Sequence, residues 1–87
     1  MAIHLRAIAR HWNISERSIR WQLENGLVHA AMEEGSGYKL WFTIEEAEKV
    51  VVACHLFKLG LNRTAIGYLF DNHSTKKIRE FFKLDKL

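Results

Sequence analysis

The chain has no proline among its 87 residues, so nothing in it forces a kinked helix, a rigid spacer or a cis turn. It has a single cysteine, which excludes an internal disulfide and a cysteine-built zinc site, and which suits a reducing compartment. It has only five glycines, and the lone "GSG" reads as a hairpin tip, since no strand-to-helix phosphate cradle follows it. No apolar run approaches the length of a membrane span, and the first residues carry no secretory apolar stretch. The expectation is a cytoplasmic protein with no membrane partner. There is no low-complexity tract and no internal repeat.

What is present is one small domain's worth of chain, 48% hydrophobic and 26% charged, a soluble globular composition. The formal charge is +3 and the pI about 9.2, a mild excess that allows a polyanionic partner without demanding one. Its distribution says more. Acidic residues gather at Glu33, Glu34, Glu45, Glu46 and Glu48, whereas "LRAIARHWNISERSIRW" holds four arginines against one glutamate. A second basic cluster, "KKIREFFK", lies near the C-terminus.

Periodicity gives the elements. Leu5, Ile8, Ala9 and Trp12 fall on one face of a helix, with Arg6, Arg10 and His11 on the other. "NIS" interrupts, and Ser15 is placed to cap a second helix running from about Ser15 to Asn25. There Ile19 and Leu23 face inward, while Arg17, Arg20, Trp21 and Glu24 occupy the opposite arc; Asn25-Gly26 is the stop. "LVHAAMEEGSGYKLWF" reads as a β-hairpin with tip "EEGSG", Tyr38, Leu40 and Phe42 alternating with Lys39 and Trp41. "TIEE" is a capping box, Thr43 with Glu46, opening a long amphipathic helix through Ile44, Ala47, Val50, Val51, Cys54 and Phe57 to Gly60. A shorter helix follows from about Asn62 with Ala65, Ile66, Leu69 and Phe70 inward, and "STKKIREFFKLDKL" predicts a last one striped by Ile78, Phe81 and Phe82. The fold class expected is mainly α with a small β-hairpin, in a winged helix-turn-helix arrangement. Residues 1–72 would form the domain and 73–87 a helical tail.

Two short helices with a tight turn between them, the second basic and aromatic, followed by a hairpin, form the pattern of a major-groove reader. Arginine suits that task because its planar fork bonds guanine O6 and N7 together, or clamps a phosphate. The hairpin would reach the backbone through Lys39, with Glu33 and Glu34 turned away from phosphates. The same residues carry a family resemblance. "LRAIARHWNISERSIRWQLENGLV", "GSGYKLWFTIEEAEKV" and "LFKLGLNRTAIGYLF" together resemble the DNA-binding domain of the MerR family of mercury-resistance-type regulators, from about Leu5 to Phe70. The likeness rests on the "S-x-R-x-I-R" helix, the "GLV" exit, the "GYKL" wing and the "KLGLN" link. A related winged helix occurs in excisionases. The resemblance implies DNA contacts at Arg17, Arg20, Trp21 and Lys39, and Ser15, the cap of the same helix, completes the set expected to meet DNA. Trp21 stands where the family usually has a phosphate-contacting tyrosine, Gln22 where a second tyrosine is common, and Lys39 where arginine is usual. Family regulators continue into a long dimerising helix and an effector domain. With only "DNHSTKKIREFFKLDKL" following, the expectation is an effector-less regulator with no small-molecule effector. It would act as a homodimer through Ile78, Phe81 and Phe82, which are candidates for self-association or a partner, or as a cooperative array on DNA.

No other constellation competes. The five histidines lack ligand spacing, and Cys54-His55 project to different sides of one helix, so no metal or cofactor is expected. Ser15 has no base and orienter beside it, so no enzyme is expected. The function expected is sequence-selective binding of double-stranded DNA by a small transcriptional regulator. Two alternatives stand beside it: an excisionase-like architectural factor that bends DNA, and a winged-helix adaptor that binds protein.

Overall fold

A computed structural model describes residues 2–34 and 39–84. The elements run in the order β1 (Ala2–His4), α1 (Leu5–Trp12), α2 (Glu16–Glu24), β2 (Met32–Glu34), β3 (Lys39–Thr43), α3 (Ile44–Lys58), α4 (Arg63–Asn72) and α5 (Thr75–Phe82). The protein is mainly helical with an antiparallel hairpin, as its periodicity predicts. The hairpin is part of a three-stranded sheet, however, in the order β1-β3-β2. β1 pairs Ile3 with Phe42, and β2 pairs Met32 with Trp41. Three residues are too few to show alternation, which is why β1 left no trace in the pattern. "LVHA" is not strand, because Leu27 and Val28 are drawn into the core directly after α2 and only Met32–Glu34 pairs.

Helix boundaries follow cap chemistry closely. The Ser15 hydroxyl accepts from Ser18 N–H at 3.0 Å, Thr43 Oγ1 from Glu46 N–H at 3.1 Å, and Asn62 Oδ1 from Ala65 N–H at 2.9 Å. Only the Thr43 half of the expected capping box is seen. The Glu46 carboxylate instead accepts His29 N–H at 2.7 Å and pairs with Lys49 at 3.0 Å, tying the start of α3 to the chain leaving α2. At the other ends, α1, α2, α3 and α5 each close on a left-handed residue: Asn13, Gly26, Gly60 and Lys83. The next N–H then bonds back into the last turn, as Leu27 does to Gln22 O at 3.0 Å.

α3 is the centre of the fold rather than a helix with one wet face. Val50, Val51, Val52 and Ala53 are all buried in succession, because the sheet, α2, α4 and α5 pack around it. Ile44, expected inward, is half exposed, being the first residue of the helix and level with the sheet's end. Ala65 is likewise exposed, and Ile66 carries the inward face of α4. α5 is packed on α3: Ile78 belongs to the single core cluster, and Thr75 Oγ1 donates to Glu48 Oε2 at 3.0 Å. The tail is therefore built into the same core as the rest of the domain. Leu40 and Phe42 point inward from β3 as their alternation predicts, and Trp41 lies against His4 on the other face. Tyr38, the hairpin tip, and the side chains of Glu33, Glu34 and Lys39 lie outside the described residues. Among the described residues no helix is long and apolar enough to cross a membrane.

Candidate nucleic-acid interface

The site is built on α2, and its character comes from how firmly one side of that helix is held. Ile19 is fully buried, and Leu23 packs against the core one turn later. Between them Gln22 is also fully buried, its Nε2 donating to Val50 O and to Cys54 Sγ, each at 3.3 Å. Ser18 Oγ lies 3.8 Å from the same sulfur. Burial pushes the Cys54 thiol above its ordinary pKa, against the opposing pull of the Ser18 and Gln22 contacts and the Lys58 charge. The thiol is thus a neutral partner that helps seat α2 on α3.

The other side of α2 is open. Arg17 and Glu24 are exposed and Arg20 is half-buried. Among the described residues no acidic side chain forms an ion pair with either arginine; the salt bridges are Arg6–Glu16, Lys49–Glu46 and Arg79–Glu48. Arg6 and Glu16 are themselves solvent-exposed at 3.9 Å, so that pair is a weak one. Two guanidiniums one helical turn apart are therefore left with their donors unassigned by the fold.

Trp21 departs from the expected arrangement. It does not stand clear of the body with Arg17 and Arg20. Its ring sits edge-on to Phe57 at 5.5 Å, and it is 43% exposed. At about 100° per residue Trp21 lies on the shoulder of the helix, about 40° from the exposed Arg17 and about 60° from Ser18, which faces α3, so its large ring reaches Phe57. The indole forms one wall of an open groove of about 480 Å3 that Ile14, Ser18, Cys54, Phe57 and Lys58 also line. Half of the ring is spent on packing and half remains at the surface. Ser15 is placed at the head of α2 with its hydroxyl already accepting Ser18 N–H, so its contribution is to fix the helix start. Lys39 opens β3 opposite Glu34, and the contact expected of its side chain falls outside the described residues.

The tail residues divide. Ile78 is 2% exposed and belongs to the core, which removes it from the set available to a partner. Phe82 packs against that core, and Phe81, edge-on to it at 5.1 Å, is 80% exposed. Of the three, Phe81 is the ring open to another molecule. Among the described residues, no group of three or more His, Cys, Asp or Glu side chains is gathered to hold a metal ion.

Two residues that shape the site were not singled out from the sequence. Gln22, noted only as standing where the resembled family commonly has tyrosine, had a signal, lying three residues after Ile19 and beside Leu23 on the inward stripe. Arg63 had none. It opens α4, and its Nε and Nη2 both donate to Asn25 O, at 3.1 and 2.6 Å. That contact joins residues 38 apart in the chain, and no local pattern encodes it. No protein-family model matches the chain, and no curated protein matches it.

Proposed function

We propose that the protein binds double-stranded DNA sequence-selectively, with α2 in the major groove, and acts as a transcriptional regulator in the cytoplasm. The observation that carries the reading is the two-sided character of α2. One side is locked by Ile19, Gln22 and Leu23, and the other presents Arg17 and Arg20 without ion-pair partners among the described residues. A helix held rigidly while its guanidiniums stay free meets the requirement for reading base edges. The three-residue turn Asn13 to Ser15 between α1 and α2, the antiparallel hairpin after them, and the resemblance to the MerR-type DNA-binding domain support a winged helix-turn-helix. The local positive charge between Leu5 and Trp21 supports a polyanionic partner.

On this reading Arg17 and Arg20 bond base edges or flanking phosphates. The exposed half of Trp21 offers its indole N–H to the backbone, Ser15 fixes the entry of the helix, and Lys39 meets a phosphate beside the groove. The test is Arg17→Ala and Arg20→Ala, measured by fluorescence anisotropy on duplexes enriched from a random library. Each variant is expected to lose about 1–3 kcal/mol of binding to the enriched duplex with an unchanged circular dichroism spectrum. Full affinity in both well-folded variants would refute the assignment.

A further inference from the structure

We infer that Arg63, on α4, is a positioning residue for the DNA-reading helix: it clamps the C-terminal end of α2 and thereby sets the angle at which that helix is presented. The inference rests on the proposed reading of α2 as the helix that enters the groove. α2 has no basic residue in its own last turn. Its final carbonyls carry partial negative charge, which a cation there stabilises. Arg63 supplies that cation from across the fold, with two N–H donors converging on the Asn25 carbonyl at 3.1 and 2.6 Å. A charge-assisted, two-donor contact is both stronger and more directional than a single neutral bond.

The surroundings are shaped for this guanidinium. Gly67 lies one turn further along α4, and a Cβ there would come within 2.9 Å of Arg63 Nη1. Glycine is a poor residue for a helix interior, so its presence at that place has a reason in packing. Gly26, with φ of +73°, takes the left-handed turn that ends α2, and a Cβ there would sit at ordinary contact distance, 3.5 Å, from Nη2. The guanidinium thus touches a glycine of α4 and the glycine that follows α2, and at Gly67 a side chain would displace it. With Nε and Nη2 engaged on Asn25, Arg63 acts through the backbone of α2 and not by reaching a phosphate. Ile19 and Leu23 fix which face of α2 is inward, and Arg63 fixes where its far end, carrying Trp21 and Glu24, stands relative to the body.

The experiment compares the full-length wild type with Arg63→Ala and Arg63→Lys, using two readouts. Lysine keeps the charge but cannot make the fork, so a positioning role predicts that both variants fail alike. In the free protein, amide hydrogen exchange at Gly26 and Leu27 should accelerate roughly tenfold in both variants, while amides in the middle of α3 are unaffected. On DNA, both should lose roughly tenfold in affinity for duplexes enriched by the wild type from a random library. Both should keep affinity for an unselected random duplex pool within about twofold, with an unchanged salt slope. A lysine variant that behaves as wild type, with the alanine variant losing about 0.9 of salt slope, would make Arg63 a phosphate contact and overturn the inference. Unchanged exchange in both variants would overturn it on structural grounds alone. Accelerated exchange with no duplex enriched by the wild type would instead bring down the DNA reading, and the positioning role with it.

Discussion

Gln22 offers the sharpest test of how α2 is seated. Its side chain is fully buried, its two donor contacts to Val50 O and Cys54 Sγ are both long at 3.3 Å, and its Oε1 has no hydrogen-bonding partner among the described residues. Gln22→Met replaces the amide with an unbranched apolar chain of similar length. The two lost bonds are worth about 0.5–1.5 kcal/mol each, at the low end because one acceptor is a thiol and both are long. Removing a buried unpartnered oxygen returns about 1–3 kcal/mol, and the new thioether adds apolar contact. Some of that gain is offset by fitting a slightly larger side chain. The net expectation is a stabilisation of about 1 kcal/mol, which in a domain this size raises Tm by about 4–8 °C. Gln22→Ala also removes the oxygen but leaves a cavity, and should lie about 2–3 kcal/mol below the methionine variant. Thermal unfolding followed by circular dichroism, with urea midpoints as a second measure, reads both. A methionine variant as destabilised as the alanine variant would refute the reasoning, showing that the amide contributes more through its bonds than its oxygen costs. On the proposed reading DNA affinity should be unaltered in Gln22→Met, since the face it changes is buried against α3.

Three further outcomes follow from the same structure. Ser15→Ala removes the cap on α2 and should cost about 1 kcal/mol by urea unfolding; no loss would mean the 3.0 Å bond to Ser18 is not what starts the helix. In α5, Ile78→Ala should cost about 2–5 kcal/mol whereas Phe81→Ala should cost less than about 1, because the first ends 2% exposed and the second 80%. The reverse order would mean α5 is not seated on α3 as described. Cys54 keeps its proton in the folded state above the ordinary thiol value of 9.0, whereas the unfolded chain releases it there. The native state then binds more protons than the unfolded state, so this group's contribution to stability declines as pH rises through that value. Urea midpoints taken from neutral to alkaline pH should show a steeper alkaline decline in the wild type than in Cys54→Ala, and equal declines would contradict the burial of the thiol.

Much of the fold was legible because it is written in local chemistry. Ser15, Thr43 and Asn62 announce helix starts by residue type, Gly26 and Gly60 announce ends, and Leu40 with Phe42 gives the inward face of β3 by alternation. What was not legible is non-local. β1 exists only because β3 offers it an edge, and three residues cannot signal that on their own. α3 reads as a helix with one apolar stripe until its neighbours close around Val52 and Ala53. At the candidate site the outward placement of Arg17 follows from the stripe of Ile19 and Leu23. The shoulder position of Trp21 depends on where Phe57 lies, and the clamp from Arg63 depends on the start of α4 coming back to the end of α2. Gln22 lies on the inward stripe despite its amide, and a thiol and a helix carbonyl, both supplied by α3, take its donors.

The measurement that bears most directly on the central proposal is selection of the purified full-length protein against a random duplex library at moderate salt, with sequencing of the bound pool. The account predicts enrichment of a defined motif whose recovery is lost when Arg17 and Arg20 are both replaced by alanine in a protein that still folds. A wild-type pool indistinguishable from the starting library would contradict it.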